Sequence, residues 1–150
     1  MSSVLVLATV PLLTMAGLIA LMKVPTHLQL TVTETALVIE PEGLDQWWTR
    51  RHRVEVPLET IGSIRIVPRS EAPAIDKEQT KKGLHIDNLI TAGVHGDTFW
   101  DVRHGDQLLM ITCNNNAEFG TLVLQFANPF ATLTRTRTVL ARNGSRSTSV

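Results

Sequence analysis

The spacing of apolar and polar positions divides the chain into three regimes. In the first, residues 2–22, SSVLVLATVPLLTMAGLIALM, no side chain is charged. The second begins at residue 28, where the period drops to two. LQLTVT sets Leu28, Leu30 and Val32 on one face and Gln29, Thr31 and Thr33 on the other, the pattern of a half-buried strand. ALVIE follows after a short connection and predicts a hairpin, and PEGLDQ is a turn by its Pro, Gly and Asp. HRVEVPL alternates with Val54, Val56 and Leu58 inward, and IGSIRIVP sets Ile64 and Ile66 against Arg65. Residues 70–83, SEAPAIDKEQTKKG, are mostly polar and charged, with one Pro and one Gly, and predict a long surface loop. GLHIDNLITAGV fits a loop containing a short strand near Ile90–Val94. TFWDVR, LLMITC and FGTLVLQF, separated by HGDQ and NNNAE, predict two consecutive hairpins forming a meander.

The third regime is NPFATLTRTRTVLARNG. Asn128 is suited to a helix N-cap, Pro129 to the first helical position and Asn143-Gly144 to a stop. Phe130, Leu133, Leu140 and the stem of Arg137 share a helical face. Threonine at 132, 134, 136 and 138 alternates as a strand would. The boundary signals favour the helix, with residues 143–150 as a disordered tail.

Charge alters this picture in two ways. Lys+Arg and Asp+Glu number 14 each, and a chain without basic excess is not built as a dedicated nucleic-acid binder. The balance is uneven, since no acid follows Glu118 while Arg135, Arg137, Arg142 and Arg146 do. Cys113 is the only cysteine, so no internal disulfide forms, which fits a reducing compartment.

An apolar helix of about 20 residues spans a bilayer, and residues 2–22 have that length, with Lys23 directly after them. A cleavable signal peptide is the rival. It calls for basic residues before the apolar run and a small-x-small site after it, and neither the start of the chain nor LMKVPTH supplies them. A buried core helix is a third reading, although the segment has no polar side. The division expected is an anchor at residues 1–25, a domain at 26–142 and the tail. Lys23, Arg50, Arg51 and Arg53 lie on the C-terminal side and place the domain in the cytoplasm of a single-pass cell-membrane protein.

Three stretches, WWTRRHRVEVPLETIGSIRIVP at 47–68, FWDVRHGDQLLMI at 99–111 and LVLQFANPFATL at 122–133, resemble bacterial, mainly actinobacterial, membrane-anchored pleckstrin-homology-like proteins of unknown function. The likeness covers residues 28–142. It implies a mainly β fold with α: about seven antiparallel strands in a barrel or sandwich of two bent sheets, one end closed by a C-terminal helix. Phosphoinositide-binding members of that fold place basic residues in the first hairpin loop. Here the loop is TET, residues 33–35, with Glu34 and no basic residue, so no headgroup-binding residue carries over.

Two constellations carry candidate chemistry. GVHGDTFWDVRHGDQ, residues 93–107, holds His95, Asp97, Asp101 and His104, residue types that bind metals or move protons. Their spacing matches no motif with a mechanical rationale. In the plainer reading Trp100 and Val102 pack in the core, Asp101 and Arg103 form a solvated pair, and His104 and Asp106 bracket a turn at Gly105. Cys113 ends an apolar strand as a packed thiol. WWTRRHR, residues 47–53, is the other constellation. Adjacent tryptophans on a strand point opposite ways, leaving one exposed beside Arg50, Arg51 and Arg53. The plainer reading is a core Trp48 with a solvated basic edge. Two functions follow. One is a membrane-tethered, non-enzymatic interaction module, without cofactor or metal, that touches anionic lipid or a protein partner through Trp47, Arg50, Arg51 and Arg53. The other is a ligand- or metal-binding, hydrolytic protein that uses the His95–His104 cluster.

Overall fold

The computed structural model describes residues 14–17, 20, 27–75, 80–87 and 89–147. They form a mainly β protein with a C-terminal helix. The strands are β1 (Leu28–Val32), β2 (Ala36–Pro41), β3 (Val54–Pro57), β4 (Ile61–Pro68), β5 (Thr80–Ile86), β6 (Ile90–His95), β7 (Thr98–Val102), β8 (Gln107–Cys113) and β9 (Thr121–Leu124). A short helix α1 (Leu44–Thr49) joins β2 to β3, and α2 (Pro129–Ser147) ends the domain. Among the described residues no helix is long and apolar enough to cross a membrane. Apart from residues 14–17 and 20, the expected anchor lies outside them.

The strands form two sheets, ordered β1-β2-β3 and β4-β8-β9-β7-β6-β5, and no closed barrel. The expected β1–β2 hairpin is present. Its turn is held by Thr33, whose Oγ1 donates to Ala36 O (2.9 Å) and accepts from Ala36 N–H (3.0 Å). Among the described residues nine strands stand in place of the roughly seven expected. The surplus comes from 80–95, where the expected loop and a single short strand are instead the β5–β6 hairpin. Its signal is weak because Gly83 and Gly93 face each other in register. Gly83 has a steric reason: a Cβ there would stand 2.8 Å from His95 Nε2 and 2.5 Å from Ala92 O.

The expected meander is also corrected. β7 and β8 do not pair. β9 lies between them, parallel to β7 and antiparallel to β8. Leu122, Val123 and Leu124 are all fully buried. A strand that is apolar on both faces suits the middle of a sheet rather than its edge. The HGDQ turn is therefore a locked corner. Gln125 Oε1 accepts from Arg103 N–H (2.8 Å) and Gly105 N–H (2.9 Å), while the Arg69 guanidinium donates to the carbonyls of Gly105 (3.2 Å) and Arg103.

The main core lies between the sheets. Leu37, Ile39, Val54 and Val56 of the smaller sheet meet Phe99, Leu109, Ile111, Leu122 and Leu124 of the larger, and Leu133 and Leu140 of α2 pack against them. A second cluster, Val67, Trp100, Val102, Leu108, Met110 and Val123, sits on the opposite face of the larger sheet. Ala72 and Ile75, from the segment expected to be a solvated loop, cover it.

Helix α2 begins as expected, with Asn128 Oδ1 accepting from Ala131 N–H (3.1 Å). The alternating threonines fit a helix because Thr132, Thr136 and Thr138 each donate to the carbonyl four residues back, at 2.8–3.1 Å. Two expectations fail here. Phe130 faces outward instead of joining Leu133 and Leu140. The helix also runs through Asn143-Gly144 to Ser147, and Asn143 Nδ2 donates to Thr33 O (3.2 Å), tying it to the first hairpin.

Candidate functional site

Helix α1 organises the most distinctive surface of the domain. PEGLDQ and the residues after it were expected to be turn and then strand; six of them, LDQWWT, are helical instead. Gly43 enters the helix at φ 59° and ψ −127°, a conformation open to glycine and costly for other residues. Arg50 closes it in the left-handed region at φ 55°. So short a helix does not persist alone. It is pinned from below.

The pin is a buried ionic cluster. Asp45 is 2% exposed, Arg103 3% and Asp101 0%, which corrects the expectation that Asp101 and Arg103 form a solvated pair. The Asp45 carboxylate accepts from the Arg103 guanidinium and from His27 N–H (2.5 Å). Trp48 stacks on the guanidinium, 4.3 Å from ring centroid to Cζ. Arg103 Nη1 lies 3.5 Å from Asp101 Oδ1. Neither Asp101 oxygen has a hydrogen-bond partner among the described residues. Burial and then the Asp45 charge hold the Asp101 carboxyl well above the usual carboxylate range, against the pull of Arg103. Burial also raises Asp45, offset by Arg103 and the His27 N–H. The guanidinium thus charge-matches Asp45, the carboxyl it hydrogen-bonds, while burial and the Asp45 charge favour the protonated form of Asp101.

The opposite side of α1 faces outward. Trp47 is 75% exposed. It lines a cleft of about 610 Å³ together with Gln46, Trp48, Arg50, His52 and the β5 residues Gly83 and Leu84, with no carboxylate among the described lining residues. The four expected contact residues therefore divide. Trp47 and Arg50 share the cleft. Arg51 pairs with Glu118 (2.7 Å) and lies over the Phe119 ring, and Arg53 bridges Glu55 (2.6 Å) and Glu40 (3.4 Å).

The His95–His104 constellation is not brought together. His95 is buried on β6, donating Nε2–H to Ala92 O (3.0 Å), and burial lowers its pKa. His104 is exposed at the corner after β7. Among the described residues no group of three His, Cys, Asp or Glu side chains is placed to hold a metal. Cys113 packs against the main core, and burial pushes its thiol up.

Sequence reasoning did not single out His85. Its Nδ1 is 3.0 Å from Thr91 Oγ1 and its Nε2 2.7 Å from Asp87 Oδ1, beside a crevice of about 510 Å³ that includes Arg69 and Trp100. His85 and Thr91 are direct cross-strand partners, and Asp87 lies in the connecting turn. The network is thus the stitching of one hairpin. Nor was the Asp45–Arg103–Trp48 contact legible, since its parts lie 58 residues apart and α1 was not expected to be a helix. No family model matches this chain, and neither the curated proteins nor the solved structures include a match to it.

Proposed function

We propose that the chain is a membrane-tethered, non-enzymatic interaction module of the pleckstrin-homology-like type. Residues 1–25 anchor it in the cell membrane, residues 26–142 lie in the cytoplasm, and the α1 surface contacts anionic lipid or an acidic protein partner. The observation that carries this reading is Trp47, exposed beside Arg50 on a cleft whose described lining residues include no carboxylate. Leaving a large aromatic in water forgoes about 2–3 kcal/mol of burial, and an aromatic beside an arginine is the composition of a recognition surface. The succession of strands closed by one C-terminal helix supports the pleckstrin-homology-like kinship; the parallel β7–β9 pair is not part of that pattern. The tether rests on the uncharged run 2–22 and on Lys23.

Fractionation of cells that express the full chain tests the tether. The protein should stay in the membrane pellet through alkaline carbonate. In spheroplasts the domain should resist protease until the membrane is opened. Release by carbonate removes the anchor, and digestion in intact spheroplasts reverses the orientation.

A further inference from the structure

Within the folded domain, the large apolar side chains that remain well exposed among the described residues are Leu44 (39%), Trp47 and Phe130 (62%). Leu44 and Trp47 belong to α1 and Phe130 to the first turn of α2, more than 80 residues later in the chain. The helices that carry them are both linked to the residues at the start of the domain. Glu42 N–H donates to His27 O (2.8 Å), and His27 N–H donates to Asp45. A crevice of about 300 Å³ sets His27 and Leu28 against Glu42 on one side and Asn128 and Ala131 on the other. Leu44 follows Glu42 by two residues, Phe130 lies between Asn128 and Ala131, and Trp47 is one turn further along α1. Leu44 and Phe130 are thus chain neighbours of residues that line the crevice where the chain enters the domain, and Trp47 stands on the helix that His27 N–H ties to this entry point.

That place is close to the uncharged run. Only residues 23–26 separate Met22 from His27, and the five residue steps between them span at most about 18 Å even when fully extended. The charges at this end also suit a membrane. Arg50 and Arg135 have no ion-pair partner among the described residues, whereas Arg51 and Arg53 are occupied. Glu42 is the exposed acid there, and Asp45 is buried against Arg103. Tryptophan with aliphatic and aromatic neighbours settles at the headgroup level of a bilayer, and arginines beside it meet anionic lipid.

We infer that this end of the domain rests on the surface of the anionic bilayer that holds the anchor, with Leu44, Trp47 and Phe130 as its apolar contacts and Arg50 and Arg135 as its cations. The inference depends on the membrane-tethered reading above, and it names the partner of the α1 surface as lipid.

The test uses the full chain reconstituted into phosphatidylcholine vesicles, with or without phosphatidylglycerol, and with bromine on the lipid acyl chains as a quencher. Trp48 and Trp100 are covered to different degrees, so the difference between wild type and Trp47→Phe isolates the Trp47 emission. In anionic vesicles that emission should shift to the blue and be quenched. The quench should be lost in Arg50→Glu/Arg135→Glu and reduced in Leu44→Ser/Phe130→Ser. All four are surface positions, and a circular-dichroism melt checks that each variant folds. Trp47 that stays unquenched in protein retained by the membrane pellet overturns this inference and leaves the tether standing. Protein missing from the pellet overturns the tether itself. A Trp47 emission that ignores lipid but moves with protein concentration also overturns the inference, and assigns the surface to a second copy of the chain.

Discussion

The two faces of β7 are equally dry, and they are made dry by opposite means. On one, Trp100 and Val102 lie among Val67, Leu108, Met110 and Val123, under Ala72 and Ile75. On the other, beyond Phe99, Asp101 and Arg103 are excluded from water by α1, which brings Asp45 and Trp48 down onto them. The apolar face is stable whatever the pH. The ionic face is stable only while its charges match, because an uncompensated charge in a dry site is expensive. The ionic face is also the one that holds α1, and α1 presents Trp47 and Arg50 to the outside. The exposed surface therefore depends on a cluster that never meets solvent.

Losing the guanidinium should be the severest test of this contrast. Arg103→Ala leaves Asp45 and Asp101 facing each other and removes the Trp48 stack, and a cost of about 3–5 kcal/mol is expected. Trp100→Ala should cost a similar about 3–5 kcal/mol through its cavity. Chemical denaturation across pH tells the two apart. The Trp100 penalty should be flat, whereas the Arg103 penalty should shrink in acid as Asp45 takes up a proton. Parallel pH profiles for the two variants would show that the faces do not differ in kind.

Asp101→Asn is a milder change. A carboxyl raised by folding binds its proton more tightly in the native state than in the unfolded chain. Its contribution is complete below the ordinary carboxylate pKa and is lost as pH climbs through the raised value. The amide cannot ionise. The variant should match wild type in acid, exceed it at neutral pH and lose that stretch of pH dependence. A less stable variant at neutral pH would mean that Asp101 is ionised and held by Arg103.

The histidines extend the comparison to smaller effects. His95→Ala removes a buried donor to Ala92 O and should cost about 1–3 kcal/mol, read from thermal melts. The lowered pKa of His95 keeps the ring neutral in the fold, so its contribution is present above the ordinary histidine value and fades as pH falls below it. His104→Ala, at an exposed position, should stay within about 0.5 kcal/mol of wild type. Equal effects at the two positions would contradict their assigned burial.

Most of the strands were legible in the sequence because their alternation is regular, as in LQLTVT and HRVEVPL. The α2 cap was legible because Asn128-Pro129 is a local signal. Pairing was harder to read. HGDQ has turn chemistry whether or not the flanking strands meet, and only the two-faced burial of LVL at 122–124 hinted that β9 would come between them. The helix at 44–49 was hidden by its length, since six residues hold too few turns to show a period. The candidate surface was half visible. WWTRRHR announced an exposed tryptophan among arginines, but the acids that occupy Arg51 and Arg53 come from β2, β3 and the loop before β9, and only folding reveals them.

The position of β9 also governs how the domain is made. In the larger sheet β8 reaches β7 only through β9. Without β9 the larger sheet reduces to a β4–β8 pair and a β5–β6–β7 ribbon, each with an open edge and no strand to join them. Open edges pair with other chains, and a nascent chain grows at only about 5–20 residues per second. The sheet is completed by β9, which follows its other five strands in the chain, so a chain cut short before Thr121 would leave two separate fragments of sheet, not a slightly smaller domain.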